Sequence, residues 1–120
     1  MVKLREEKDS LGKIKVESSK LWGAQTQRSL ENFQIGVGKF NFQKIFIEAL
    51  ALQKKSCALA NLDFKLLKRS QVKVISDVCD LIINEKLDGQ FPLVVWQTGS
   101  GTQINMNMNE VIANKSNLLL

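Results

Sequence analysis

The chain has 120 residues, 44% hydrophobic and 24% charged, which is the balance of a globular domain with one modest core. Its net charge of +5 comes from 17 basic and 12 acidic residues. The bases are scattered, grouped only at Lys54-Lys55 and from Lys65 to Arg69, so they read as solvated helix faces rather than a nucleic-acid surface. No apolar span is long enough for a membrane helix, and the opening MVKLREEKDS is neither a signal peptide nor a transit peptide, so a cytoplasmic location is expected. With no histidine, the commonest general base and metal ligand is missing. Cys57 and Cys79 form no CxxC; both fall on apolar helical faces and are expected to be buried free thiols.

Residues 1 to 17 read as extended. Asp9-Ser10-Leu11-Gly12 is a turn signal, Ile14 and Val16 alternate with charged residues, and Leu4 lies on the partner strand of a small hairpin. Ser18 and Ser19 are suited to cap a following helical turn. Leu21 to Phe33 is too poor in apolar residues for a core helix. Its Thr26, Gln27 and Arg28 either line or support a cleft, or belong to a surface helix anchored by Leu30 and Phe33.

Gly36 and Gly38 mark a loop, and Asn41 is a good N-cap for a helix from Phe42 to Ala60. Phe42, Phe46, Ala49, Leu50, Cys57 and Ala60 give its buried stripe, and Asn61 suits the left-handed position after it. A second helix, about Arg69 to Lys86, buries Val72, Ile75, Cys79 and Ile82 and packs antiparallel to the first, because the connection is short.

The most informative stretch runs from Phe91 to Asn114. An apolar run, Leu93 to Trp96, breaks at Thr98-Gly-Ser-Gly-Thr102, and a helical pattern begins near Gln103. In that helix Ile104, Met108, Val111 and Leu118 share one face and Asn105 and Asn109 another, with Asn107 apart. Two glycines among three hydroxyl residues before a helix fit a small anion, because glycine admits close backbone approach and the helix start offers free N–H donors. They fit equally an ordinary turn in which Ser100 or Thr102 caps the helix. A Walker loop is excluded, since no Gly-Lys-Ser/Thr follows, and so is a dinucleotide fingerprint.

Thr98-Gly-Ser-Gly-Thr-Gln followed by Asn105-Met-Asn-Met-Asn-Glu-Val resembles the first signature region of class II fumarases, in the fumarase/aspartase superfamily. Trp22-Gly-Ala-Gln-Thr-Gln-Arg-Ser29 resembles that family's N-terminal signature, and the likeness extends from about Arg5 to Asn114. Aspartate ammonia-lyases share the N-M-N-x-N-E-V string but differ in the Trp-containing portions, so fumarase is the closer match.

The resemblance implies a mainly α fold opened by a short β-hairpin, with residues 1–120 forming the first domain and no second domain present. It implies reversible hydration of fumarate to (S)-malate in the tricarboxylic acid cycle without metal or other cofactor. Ser100, Gly101 and Thr102 are the positions it assigns to a substrate carboxylate. The implied partners are a small dicarboxylate and, for full-length members, three further copies in a homotetramer; neither nucleic acid nor membrane is implied. The family's GSSxMPxKxN segment with its catalytic serine, its His-Pro-Asn-Asp segment and its middle-region histidine are not in this sequence. The chain therefore reads as an N-terminal fragment, inactive alone. An ammonia-lyase relative and a non-enzymatic interaction module are the alternatives. Ile104 stands where the family commonly has a small polar residue.

Overall fold

The computed structural model describes residues 1–120 as a two-stranded hairpin followed by four helices. Strands β1 (Leu4–Asp9) and β2 (Gly12–Glu17) are antiparallel, with Leu4 opposite Glu17 and Asp9 opposite Gly12. Gly12 takes a positive φ of 114°, the conformation the tight turn requires. The alternation of Ile14 and Val16 with charged residues turns Val16 into the core, fully buried. Arg5 ties the hairpin to the chain beyond it, donating to the carbonyls of Glu17, Lys20 and Trp22 at 2.8, 2.6 and 2.6 Å.

Helix α1 (Ala24–Asn32) follows, and it buries Ala24, Thr26 and Ser29 rather than large apolar groups. Small side chains allow close approach to the rest of the domain. Neither Ser18 nor Ser19 caps it, because the helix starts later, at N-cap Gly23.

Helices α2 (Lys44–Asp63) and α3 (Arg69–Ile83) form the antiparallel pair that their short connection predicts. Lys44 near the start of α2 reaches Glu85 and Asp88 beyond the end of α3, and Lys55 reaches Asp80. Both helices end in the same way. Lys65 and Glu85 adopt left-handed φ of 57°; Leu66 N–H bonds Asn61 C=O at 2.8 Å and Lys86 N–H bonds Leu81 C=O at 2.9 Å. Asn61 is thus inside α2, and the left-handed position falls four residues later, on Lys65.

The buried stripe of α2 is Ile47, Ala51 and Ala58, one residue out of phase with the pattern expected from Phe46, Leu50 and Cys57. Apolar residues occur on several faces of this helix, with Ile45, Phe46, Leu52 and Leu59 exposed, so periodicity alone does not select the inward face. Cys57 is consequently exposed, contrary to expectation, whereas Cys79 is buried. Burial pushes the Cys79 thiol up to about 11, with Asp80 adding to the shift. In α3 the inward face is Val72, Val78, Cys79 and Ile82, with Ile75 packed at its margin.

Helix α4 (Thr102–Leu119) closes the core, bringing Ile104, Met108, Val111 and Ile112 against Val16, Trp22, Ile47, Ala51 and Val78. Ile112 and Ser116 occupy the inward positions near its end, and Leu118 is exposed. Ile104 is a core residue here, 3% exposed, which accounts for its apolar character.

Candidate functional site

The hydroxyl-rich loop is held by the segment before it. Leu93 and Val94 are buried, and Asn41 forms a backbone bridge to Val94. Asn41 does not cap α2; its Nδ2 donates to the carbonyls of Pro92 at 2.8 Å and Leu93 at 3.3 Å, and Gln43 takes the N-cap position. Val95 N–H donates to Phe40 C=O at 2.7 Å, and the rings of Phe40 and Trp96 meet edge to face at 5.8 Å.

Gln97 then performs the capping expected of Ser100 or Thr102. Its Nε2 donates to Val94 C=O at 3.2 Å, and its Oε1 accepts the N–H of Ile104, third residue of α4, at 3.0 Å. Gly101 is the N-cap, with φ of 71°, and its N–H closes a turn on Thr98 C=O at 3.1 Å. The hydroxyls bond among themselves instead. Thr98 Oγ1 and Ser100 Oγ lie 3.2 Å apart, Ser100 Oγ and Thr102 Oγ1 2.9 Å, and Thr98 Oγ1 donates to Gln103 Oε1 at 2.6 Å.

Two consequences follow for chemistry. The N–H groups of Thr102 and Gln103 at the helix start have no partner within the chain, and the first turn of α4 holds no acidic residue to offset the positive end of the helix dipole. Ser100 and Thr102 are exposed and Gly101 half-buried, so the three expected binding positions stand together at an accessible donor-rich surface. Such a surface can bind and polarise an anion. It holds no group able to transfer a proton.

The Trp22–Ser29 segment lies elsewhere on α4. The Glu110 carboxylate, about 12 Å along the helix from Thr102 at 1.5 Å per residue, caps α1. It accepts the N–H groups of Gly23 at 2.9 Å, Gln25 at 2.8 Å and Thr26 at 3.1 Å, and the Thr26 hydroxyl at 2.6 Å. An ionised acceptor at a helix start makes strong bonds of this kind. Arg28 forks onto Asp9, with Nε and Nη2 at 2.8 Å from its two oxygens, and Nη2 also meets Gly12 C=O at 3.1 Å. That guanidinium, aided by Leu11 N–H and the Gln25 amide, holds the Asp9 carboxyl down at about 2. Trp22 Nε1 donates to Gln27 Oε1 at 3.2 Å. Thr26 therefore holds α1 to α4 and Arg28 holds it to the hairpin, while Gln27 bonds Trp22 just ahead of the helix.

Among the asparagines of α4, Asn107 is fully buried and donates to Gln90 C=O at 2.9 Å, and Asn114 donates to Leu21 C=O at 2.7 Å. Asn105 accepts from Lys54 Nζ at 2.6 Å. Sequence reasoning missed the roles of Glu110, Gln97 and Lys54. Only for Glu110 was there a signal, the single acidic residue of the α4 stretch.

The unit is thus a hairpin, a partly buried α1 capped from the middle of α4, and an open hydroxyl loop at the start of that helix. The lyase family model matches residues 12–119, and the chain belongs to that family. It is similar to the class II fumarate hydratase of Bacillus subtilis, 52% identical over 116 residues, covering 97% of this chain and 25% of that protein. The Neisseria meningitidis class II fumarate hydratase is 55% identical over 113 residues, covering 94% of this chain and 24% of that protein. The crystal structure of class II fumarase from Schistosoma mansoni superposes with a TM-score of 0.95 at 38% identity, covering 98% of this chain and 24% of that one. A Brucella melitensis fumarate lyase:delta crystallin structure gives a TM-score of 0.92 at 38% identity, covering 98% and 26%. These likenesses agree with the fumarase resemblance of the two signatures. The chain spans about a quarter of the length of the curated relatives it matches. No helix is long and apolar enough to cross a membrane.

Proposed function

We propose that this chain is the first domain of a fumarate hydratase and supplies one edge of its substrate site. In this reading Ser100, Gly101 and Thr102 hold a carboxylate of fumarate or (S)-malate. Removing a proton alpha to a carboxylate concentrates negative charge on that group, and donors already in place around it lower the barrier. The observation that carries the reading is the pair of free N–H groups beside the hydroxyls of Ser100 and Thr102, in a chain 52% identical to a class II fumarate hydratase. The proton-transfer groups belong to further segments, contributed in a cytoplasmic homotetramer serving the tricarboxylic acid cycle. The 120 residues alone are inactive in this reading.

The test is a fumarate–malate absorbance assay on the purified chain, with and without the separately expressed remainder of a related fumarase. Hydration in the mixture alone is expected. Hydration by the chain alone would require a proton-transfer group in these residues and would overturn the division of labour. Ammonia release from aspartate by the mixture, with no malate formed, would reassign the reaction to an ammonia-lyase.

A further inference from the structure

Most lysines that reach another side chain meet a carboxylate: Lys13 meets Glu6, Lys44 meets Glu85 and Asp88, Lys55 meets Asp80, and Lys73 meets Asp77. Lys54 does not. It is half-buried on α2, and its ammonium donates to Oδ1 of Asn105 at 2.6 Å. An amide oxygen accepts a proton but does not cancel a charge. Asn105 stands one helical turn beyond Thr102, so the two side chains share a face of α4. An unneutralised cation is therefore delivered beside the positive, acid-free first turn of that helix.

The contact also settles which way the Asn105 amide faces. An ammonium only donates, so the oxygen must turn toward Lys54. The Nδ2 group is left as a donor without a bond in the chain.

We propose that Lys54 is a positioning and charge-selecting residue for the anion held at Ser100 to Thr102. It locks Asn105 with its donor free, and its charge favours a dicarboxylate dianion over a monocarboxylate of the same skeleton, because the attraction scales with ligand charge. The inference rests on the carboxylate reading above.

The experiment is an amide-resolved NMR titration of the full 120-residue chain with fumarate and, separately, with crotonate, at low ionic strength. Fumarate is expected to perturb Ser100 to Asn105 and to bind more tightly than crotonate. Lys54→Gln is expected to weaken fumarate by about tenfold, the scale of a charge-assisted hydrogen bond, and crotonate by less. Lys54→Arg should retain most of the affinity. Asn105→Asp keeps the tie to Lys54 while cancelling its charge, and is expected to weaken fumarate at least as much as Lys54→Gln. No perturbation at Ser100 to Thr102 in the unsubstituted chain overturns the carboxylate reading and this inference with it. Perturbation there, with equal fumarate affinity in Lys54→Gln and Asn105→Asp, overturns the Lys54 inference alone. Equal weakening of both ligands with a lowered thermal midpoint would make Lys54 merely structural and also overturn it.

Discussion

Glu110 and Thr102 are carried by the same helix and meet opposite surroundings. Around Glu110, three backbone N–H groups and a buried hydroxyl converge on one carboxylate, so the donors of Gly23, Gln25 and Thr26 at the α1 start are used inside the molecule. Around Thr102, the hydroxyls bond one another and the N–H groups at the helix start are left over. Helix N-termini have the same needs everywhere. One is satisfied by the protein and fixes the fold; the other is left unsatisfied at the surface, where a ligand can complete it. The two signature strings divide along that line, the first as scaffold and the second as scaffold and, in the reading proposed above, site.

The largest expected effect comes from removing the satisfied cap. Glu110→Ala leaves the Thr26 hydroxyl and two first-turn N–H groups of α1 without acceptors. It should cost roughly 3 kcal/mol, the scale of charge-assisted hydrogen bonds lost from buried partners. Urea unfolding followed by circular dichroism measures it, and an unchanged midpoint would break the contrast at its root. Glu110→Gln should lose less, since its amide oxygen still accepts.

Acid acts on the same corner. The Asp9 carboxyl is depressed from 3.8 to about 2 by Arg28, so its contribution to stability is present above pH 4 and is lost as pH falls toward 2. The thermal midpoint should drop across that window, and Asp9→Asn should flatten the drop. An identical acid profile in the variant would mean that the Arg28 fork does not hold the hairpin to α1.

Glycines sharpen the comparison at smaller scale. A Cβ on Gly23 would lie 3.1 Å from Cδ and Oε1 of Glu110, a carboxylate pinned by its own bonds, whereas one on Gly99 meets nothing within 4 Å. Gly23→Ala should destabilise by about 1 kcal/mol through crowding. Gly99→Ala should stay within about 0.5 kcal/mol of the parent. Equal thermal shifts in the two variants would show that the Glu110 corner has slack.

Legibility in the sequence follows the same division. Alternation around Ile14 and Val16 and the turn at Asp9-Ser-Leu-Gly12 gave the hairpin, because strand period and turn chemistry are local. The helix pair was equally readable, but the inward face of α2 was not: Phe46 and Leu50 compete with Ile47 and Ala51, and only the packed neighbours choose between them. Caps supplied from a distance left no local trace. Asn41, Ser18 and Ser100 each have the chemistry of a cap, yet Gln43 stands at the start of α2, Glu110 serves α1 from 84 residues away, and Gln97 serves α4. The cluster of Ser100, Gly101 and Thr102 was visible as a string. That its donors remain free depended on Gln97 taking the capping role, which spacing does not reveal.

Thr102→Val isolates the open end of α4. The substitution removes a hydroxyl at nearly constant shape, and that hydroxyl is exposed and bonded only to Ser100. Stability should move by no more than about 0.5 kcal/mol, as for surface changes away from caps and core. Turnover in a complemented enzyme should nonetheless fall by about tenfold, the loss expected when one donor to a charged group is removed. Steady-state kinetics and a thermal melt on the same preparation separate the two quantities. A destabilised protein would place Thr102 with the scaffold beside Glu110, whereas unchanged kinetics on a stable protein would remove it from the substrate site. Lost turnover with an unmoved melt is the pattern that an unsatisfied helix start, kept open for an anion, requires.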